Sequence, residues 1–394
     1  MSWKQTSVKM EKERFIKLWE SQAYTFSSLC KSFNISRVSG YKLIKRYKEI
    51  GKECFKIQSK IPQNTPHKTP QKLENSIIKL RKKYPLWGAR KIRKLLEPTF
   101  SKKEIPSETT INAIIKRNGL IKKRRRREVR EGRLNPVFAP SACNEIWSSD
   151  YKGKFKLGNG RYCNPLTICD SKSRKILGIS CHYYATYKSV RQSYIRVFRE
   201  YGQPQYLHTD NGSPFGSIQA IRRFSKLGYW LIDHDILPVF SDPGCPQQNG
   251  RHERMHRDLK AYCKTRIENT LSKQQIIMDE FRVEYNKIRP HEALGMSTPI
   301  SVHQHSKRAY NEKIKAYLYP IEFKVQKVTK SGAMRWGAYH WIFVSSAAIG
   351  KHLGSLEIGN GIFNVYYRHV LLGSFDEKLL TRKQQYLKLT RIKV

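Results

Sequence analysis

Residues 145–184 read EIWSSDYKGKFKLGNGRYCNPLTICDSKSRKILGISCHYY. Three runs in this stretch, 145–157, 161–170 and 175–184, are rich in aromatic and β-branched residues. Gly158-Asn159-Gly160 between the first two is a hairpin signal, so three successive strands are expected. The pattern then changes period. A helix over Ser189–Tyr201 precedes a short strand in QYLHTD (205–210), a helical segment over Arg222–Leu231, a strand LPVF (237–240) and a long polar helix from about Gln247 to Ile267. Three antiparallel strands followed by alternating helices and strands predict a mixed sheet with helices packed on it.

On the N-terminal side the pattern is helical throughout. Glu11–Lys48 reads as three short helices with a tight turn at Asn34-Ile35-Ser36, a helix-turn-helix pattern whose last helix presents Arg37, Ser39, Tyr41, Lys42, Lys45 and Arg46, side-chain types that contact bases and phosphates. The same pattern also fits a basic three-helix bundle without base contacts. A Pro/Lys/Thr/Gln-rich linker (Ile61–Gln71) leads to a second helical unit over Leu73–Leu120, where Ile111, Ile114 and Ile115 form an apolar stripe. Between Lys116 and Arg133 ten basic residues face two acidic ones, centred on Lys122, Lys123, Arg124, Arg125, Arg126 and Arg127. Such a run is well placed to follow a phosphate backbone, though it also fits a solvated linker. On the C-terminal side, Phe323–Phe375 alternates apolar and polar residues with glycine punctuation, the pattern of a small all-β barrel, and Glu377–Val394 is a basic tail. The expected layout is 1–60 helix-turn-helix domain, 61–121 second helical domain, 122–139 basic linker, 140–303 α/β core, 304–318 connector, 319–376 small β-barrel and 377–394 tail.

The chain of 394 residues carries 76 Lys and Arg against 31 Asp and Glu, net +45, spread along its length, so its natural partner is a polyanion. Apolar content of 39% argues for folded domains. No run is long and apolar enough to span a bilayer, and the N-terminal MSWKQTSVKMEKER lacks the apolar centre of a signal peptide, so a cytoplasmic protein away from membranes is expected. The eight cysteines are dispersed without C-x-x-C spacing, which predicts reduced core residues and neither a zinc finger nor a disulfide framework.

In so basic a chain three carboxylates need a reason: Asp150 in WSSDYKG, Asp210 in HTDNGSPF at the end of the fourth strand, and Glu253 near the start of the long helix in GCPQQNGRHERMHRDLK. Hard divalent cations supply one, since Mg²⁺ takes one or two carboxylates and completes its shell with waters and substrate phosphates. Two such ions stabilise the attacking and leaving oxygens of an in-line phosphoryl displacement. Asn249, His256, Arg257 and Lys260 lie at i−4, i+3, i+4 and i+7 from Glu253 and are placed with Arg251 as phosphate-contacting candidates. Taken singly, Asp210 before Asn-Gly also fits a turn and Glu253 a surface charge.

WSSDYKGKF, LTICDSKSRKILG, TDNGSPF, PGCPQQNGRHERMHRDLK and RPHEALGMSTP together resemble the integrase core of bacterial insertion-sequence transposases, relatives of retroviral integrases with an RNase H-like fold and a DDE triad. The resemblance is strong over roughly 140–303 and looser over the N-terminal helical units and the C-terminal barrel. It implies that Asp150, Asp210 and Glu253 are the catalytic and metal-binding triad, holding two Mg²⁺ ions with Mn²⁺ as a substitute. It also implies double-stranded DNA as partner, both the element's terminal inverted repeats and the target, and a homo-oligomer in a synaptic complex within the bacterial cytoplasm, associated with the nucleoid. A structural role is implied for Asp170, and the lack of a His-His-Cys-Cys module before the core speaks against retrovirus-like zinc-dependent multimerisation.

Two other functions fit part of the pattern. A transposase-derived repressor or architectural DNA-binding protein explains the helical units and the charge, but not the three acids. HERMH (252–256) satisfies H-E-x-x-H, the zinc-protease motif. That reading leaves Asp150, Asp210 and the charge unused and sets Arg251, Arg254 and Arg257 beside a dication. His208, His234 and His291 are expected to be hydrogen-bonding or DNA-proximal residues, not ligands.

Overall fold

A computed structural model describes residues 7–56, 68–121, 140–242, 250–381 and 386–391. The chain divides into two compact units, one up to Pro70 and one from Gln71 onward. In the first, α1 (Val8–Glu20), α2 (Phe26–Ser32) and α3 (Arg37–Ile50) each start at a hydroxyl cap, Ser7, Thr25 and Ser36, whose oxygen accepts a backbone N–H of the first turn. Phe15, Ile16, Leu29, Cys30 and Ile44 fill the space between them. Gly40 is where α3 crosses closest, since a Cβ there would stand 2.8 Å from the Phe26 ring and 2.9 Å from Cys30 Sγ.

The second unit opens with α4 (Gln71–Lys83), α5 (Ala89–Leu96) and α6 (Glu108–Arg117), closed around Leu73, Ile77, Ile92, Leu96, Ile111 and Ile114. The three-strand expectation then holds with one refinement. The first strand breaks at Gly153 into β1 (Ile146–Tyr151) and β2 (Phe155–Lys156), both antiparallel to β3 (Tyr162–Asp170). The turn before β3 uses Gly160 at φ +80, a backbone angle that favours glycine. β4 (Ile176–His182) pairs with the other edge of β3, α7 (Tyr187–Tyr201) crosses over, and β5 (Tyr206–Thr209) lies parallel to β1. After α8 (Lys226–Asp233), β6 (Leu237–Phe240) adds a second parallel pair, so the sheet runs β4-β3-β1-β5-β6.

Strand parity sorts the side chains. Trp147, Leu166 and Ile168 point to the face covered by α7 and α8, and Cys169, Ile176 and Ile179 to the face covered by α9 (Gly250–Cys263) and α10 (Leu271–Val283). α10 is absent from the sequence expectation. The long polar helix expected over 247–267 is described from Gly250 and ends at Cys263.

Beyond the connector, β7 (Lys324–Lys327), β10 (His352–Gly359), β11 (Ile362–Tyr367), β12 (Val370–Asp376) and β14 (Thr390–Arg391) form a five-stranded sheet in the order β14-β12-β11-β10-β7. β8 (Ala333–Trp336), β9 (His340–Phe343) and β13 (Tyr386–Lys388) form a three-stranded one. A bridge between Val328 and Met334 joins them at a corner, but among the described residues the strands do not close into a ring. The expected small barrel is therefore, as described, a pair of sheets around one core, and the tail supplies two of their strands. That core is continuous with the central unit: Ile221, Phe224, Tyr229 and Ile232 belong to the same apolar cluster as Trp336, Leu353, Phe363 and Leu372. Asp233, at the end of α8, accepts from Tyr367 Oη and ion-pairs with Lys351 and Arg368 across this junction. Among the described residues no helix is long and apolar enough to cross a membrane.

Candidate active site

The parallel pairing of β1 and β5 brings their C-terminal ends to one edge, the edge at which open α/β sheets bind ligands. Register pairs Ser148 with His208, and two more residues along each strand are Asp150 and Asp210, on the same face by parity. Asp210 follows the last residue of β5 and accepts the Gly212 N–H at 3.2 Å. Glu253 is in the first turn of α9, the helix that covers this face, and is exposed.

The charges of these acids bear on one another. Burial, then the Asp210 charge and more weakly that of Glu253, push the Asp150 carboxyl up from 3.8 to about 7, against a lowering backbone hydrogen bond from Tyr151. Burial also raises Asp210. Among the described residues no lysine or arginine ion-pairs with Asp150, Asp210 or Glu253, in a chain with 76 such side chains. Among the described residues the oxygens of Asp150, Asp210 and Glu253 do not all come within 4.8 Å of one another, but the charges of Asp210 and Glu253 reach Asp150, and a hard divalent cation between them would lower the Asp150 pKa and relieve the repulsion.

Because the folded protein keeps the Asp150 proton up to about 7 whereas a free aspartate releases it near 3.8, the native state binds the extra proton between those values. The stabilisation it brings is present at the acidic end of that window and lost as pH rises toward 7. In a chelating buffer, melting temperatures of Asp150→Asn are therefore expected to fall less steeply with rising pH than those of the parent. Parallel curves would show that the buried carboxyl is not responsible.

Behind Asp150 stands a hydroxyl that the sequence did not single out. Thr167, paired with Asp150 across β1 and β3, donates its Oγ1–H to the Asp150 carbonyl at 3.0 Å and contacts His252 Nε2 at 2.6 Å and His256 Nε2 at 2.7 Å. A hydroxyl has one proton to give, so both imidazoles donate Nε2–H to it. His252 Nδ1 then accepts from Ser148 Oγ at 2.9 Å. Burial holds His252 well below the usual histidine range and His256 at about 3, which keeps both neutral. The 3.7 Å approach of His256 Nδ1 to Asp150 Oδ2 is thus a contact between a neutral ring and a carboxyl. The zinc-protease reading fails on this geometry, because His252, 2% exposed, engages both nitrogens with protein hydroxyls.

The other candidates divide. Arg251, Arg257 and Lys260 are exposed on α9, whereas the His256 side chain, 12% exposed, turns into the protein and away from solvent. On α3, Arg37, Tyr41, Lys42 and Lys45 are exposed, Ser39 Oγ pairs with the Ser36 cap, and Arg46 turns back to the Cys54 carbonyl. Asn249 and the run Lys122, Lys123, Arg124, Arg125, Arg126 and Arg127 lie outside the described residues. Asp170 is buried and accepts N–H groups of Asn144 and Ser173 and the Ser173 hydroxyl. Cys143 and His303 bring ligand-type atoms within 4.8 Å of it, but its oxygens already serve these structural hydrogen bonds.

Comparison with known proteins agrees with the motifs. Residues 140–246 and residues 234–299 match two family descriptions, each an integrase core domain. The insertion element IS476 uncharacterized 39.2 kDa protein of Xanthomonas euvesicatoria is 26% identical over 240 residues, 60% of this chain and 66% of that one. The insertion element IS407 uncharacterized 31.7 kDa protein of Burkholderia multivorans is 27% identical over 179 residues, 44% of this chain and 62% of that one. The chain thus spans a little under two thirds of the length of the curated relatives it matches. The HTLV-2 integrase catalytic core domain, solved in complex with magnesium in a trimeric form, aligns along its whole length with 42% of this chain, at 16% identity and a TM-score of 0.33. Residues 140–299 are thus similar to integrase core domains, and the curated relatives are proteins of bacterial insertion elements.

Proposed function

We propose that this protein is a polynucleotidyl transferase that cuts double-stranded DNA at the ends of its mobile element and joins the freed 3′-OH to target DNA. The reading is supported by Asp150 and Asp210 at the C-terminal ends of the parallel strands β1 and β5, with no lysine or arginine ion pair among the described residues, and by the charge of Glu253 on α9 reaching Asp150, in a chain of net charge +45. Asp150, Asp210 and Glu253 would hold two Mg²⁺ ions, or Mn²⁺ in their place, which when bound activate the attacking oxygen and stabilise the leaving one. The chain's own residues do the rest. Asp150 must give up its proton to serve as a ligand, and Thr167, gripping its carbonyl, holds that stretch of β1 in place. Arg257 and Lys260, exposed on α9, are set to contact phosphates of the strand being cut. Water attacks the phosphodiester at the element end and displaces a 3′-OH. That hydroxyl then attacks a target phosphodiester in line, with no covalent protein intermediate.

The remaining assignments belong to the same proposal. The helices of residues 1–60 and 61–121 would read the terminal inverted repeats, α3 in the major groove through Arg37, Tyr41, Lys42 and Lys45. The linker 122–139, the C-terminal sheets and the tail would add phosphate contacts. Pairing two element ends calls for a homo-oligomer in a synaptic complex, working in the bacterial cytoplasm at the nucleoid. Incubating the purified protein with Mg²⁺ and labelled duplexes carrying the element ends, and mapping the products, tests the reading. Nicked ends and joined products are expected. Tight, sequence-specific binding with no cleavage would favour the repressor alternative and overturn the enzymatic one.

A further inference from the structure

On the flank of α9 away from Glu253 the second unit contains a cationic cavity of about 240 Å³. With 100° between successive helix residues, Arg251, Arg254 and Asp258 share one flank, while Glu253, Arg257 and Lys260 share another. The walls come from separate parts of the fold: Lys91 from α5, Arg174 from the turn between β3 and β4, Arg251 and Arg254 from α9, and Arg289 from the segment after α10. Among the described residues two carboxylates line it, and both are engaged: Asp258 ion-pairs with Arg289, and Glu292 with Arg90, which is not in the wall.

Among the described residues none of Lys91, Arg174, Arg251 and Arg254 has a carboxylate partner. Arg289 is 8% exposed, and its Nε is buried with no hydrogen-bond partner. An orphaned buried donor costs about 1–3 kcal/mol, more for a charged group, and the Arg289 guanidinium carries one into this polar cavity among like charges. Burial and the neighbouring Arg289 charge lower Lys91 from 10.5 to about 8, and burial, Arg289 and Lys91 lower His291 to about 3. Repulsion of this kind, sustained by four separate segments, calls for an anion.

We propose that this cavity binds a phosphate group, clamped between the helical unit at Lys91 and the core at Arg254 and Arg289. Guanidinium forks match phosphate oxygens in pairs, and the space admits a phosphate with several waters at about 30 Å³ each. An α-helix is about 10 Å across, so the clamped group would lie about that far from one at Glu253, the scale of neighbouring phosphates on a nucleic-acid strand. The phosphodiester of a bound duplex is therefore the favoured source, and a free phosphate the other. Only this choice of source rests on the proposed DNA substrate.

Two measurements on the full chain test it: the melting shift caused by inorganic phosphate, and the salt dependence of binding to labelled duplex DNA. Lys91→Gln and Arg254→Gln are each expected to abolish the phosphate-induced shift, weaken DNA binding about tenfold and lower the slope of log K against log salt by about one. Lys91→Arg should retain all three. Glu253→Gln should retain them too, so failure of the catalytic reading would leave this site standing. If only the phosphate shift is lost, the source is a free phosphate. If neither measurement responds in either variant, the proposal is overturned. Arg254 is exposed, so its variant carries the test if Lys91→Gln does not fold.

Discussion

Asp150→Asn, Asp210→Asn and Glu253→Gln are each expected to lower Mg²⁺-dependent strand transfer by about a thousandfold, with DNA binding kept or slightly tightened. The amides preserve shape, so the fold survives, but each removes one anionic oxygen donor from a site proposed to have only three. Losing a residue that merely orients a metal ligand costs about 10–100-fold, and losing a ligand costs more. The sign of the binding effect follows from charge, since a carboxylate next to a phosphate repels it, most of all where burial weakens screening. Product mapping on labelled element ends, alongside a binding titration, makes the comparison. Strand transfer that survives in any one variant removes that residue from the triad, and survival in all three refutes the catalytic assignment.

Asp233→Ala is expected to cost about 3–5 kcal/mol and to lower the melting temperature by on the order of 10 °C. Asp233 is 6% exposed and is the anion on which Tyr367, Lys351 and Arg368 converge from the C-terminal sheets. Removing it leaves Arg368, 8% exposed, as a buried cation beside an unsatisfied phenol. Its remaining acidic neighbour, Asp235, is mostly exposed and 3.7 Å away. Asp233→Asn keeps an acceptor for the Tyr367 hydroxyl and should lose less. Thermal melts of the two variants against the parent decide it. A loss below about 1 kcal/mol for Asp233→Ala would mean that the apolar cluster alone holds the junction.

The central sheet was legible because its signals are local. Alternation and a Gly-Asn-Gly turn mark β1 to β4, and LPVF is a strand over the residues the sequence indicated. The three acids stood out because so basic a chain has few carboxylates to place beside such motifs. α10 was not legible, and Gln274 shows why: it sits in the buried row with Met278 and Phe281, 0% exposed, and breaks the apolar period. Its side chain does a job invisible from the helix itself, accepting the Glu268 N–H and donating to the Arg266 carbonyl. Thr167 and His252 were missed for a similar reason, since their roles depend on strand register and on which flank of α9 faces the sheet. Among the described residues the strands of the expected barrel do not close into a ring, and alternation, which announces strands, says nothing of which distant edges meet. β13 and β14 lie in the stretch taken for a tail and pair with β9 and β12.

The apolar cluster that unites α8 with the C-terminal sheets also bears on how such a chain can be inherited. Ile221, Phe224, Tyr229 and Ile232 are shaped to Trp336, Leu353 and Phe363, so a crossover in the connector that brought in a foreign C-terminal half would mismatch an interior, not a surface. Shuffling between relatives at that point should yield insoluble chimaeras unless residues 221–233 travel with the sheets they fit.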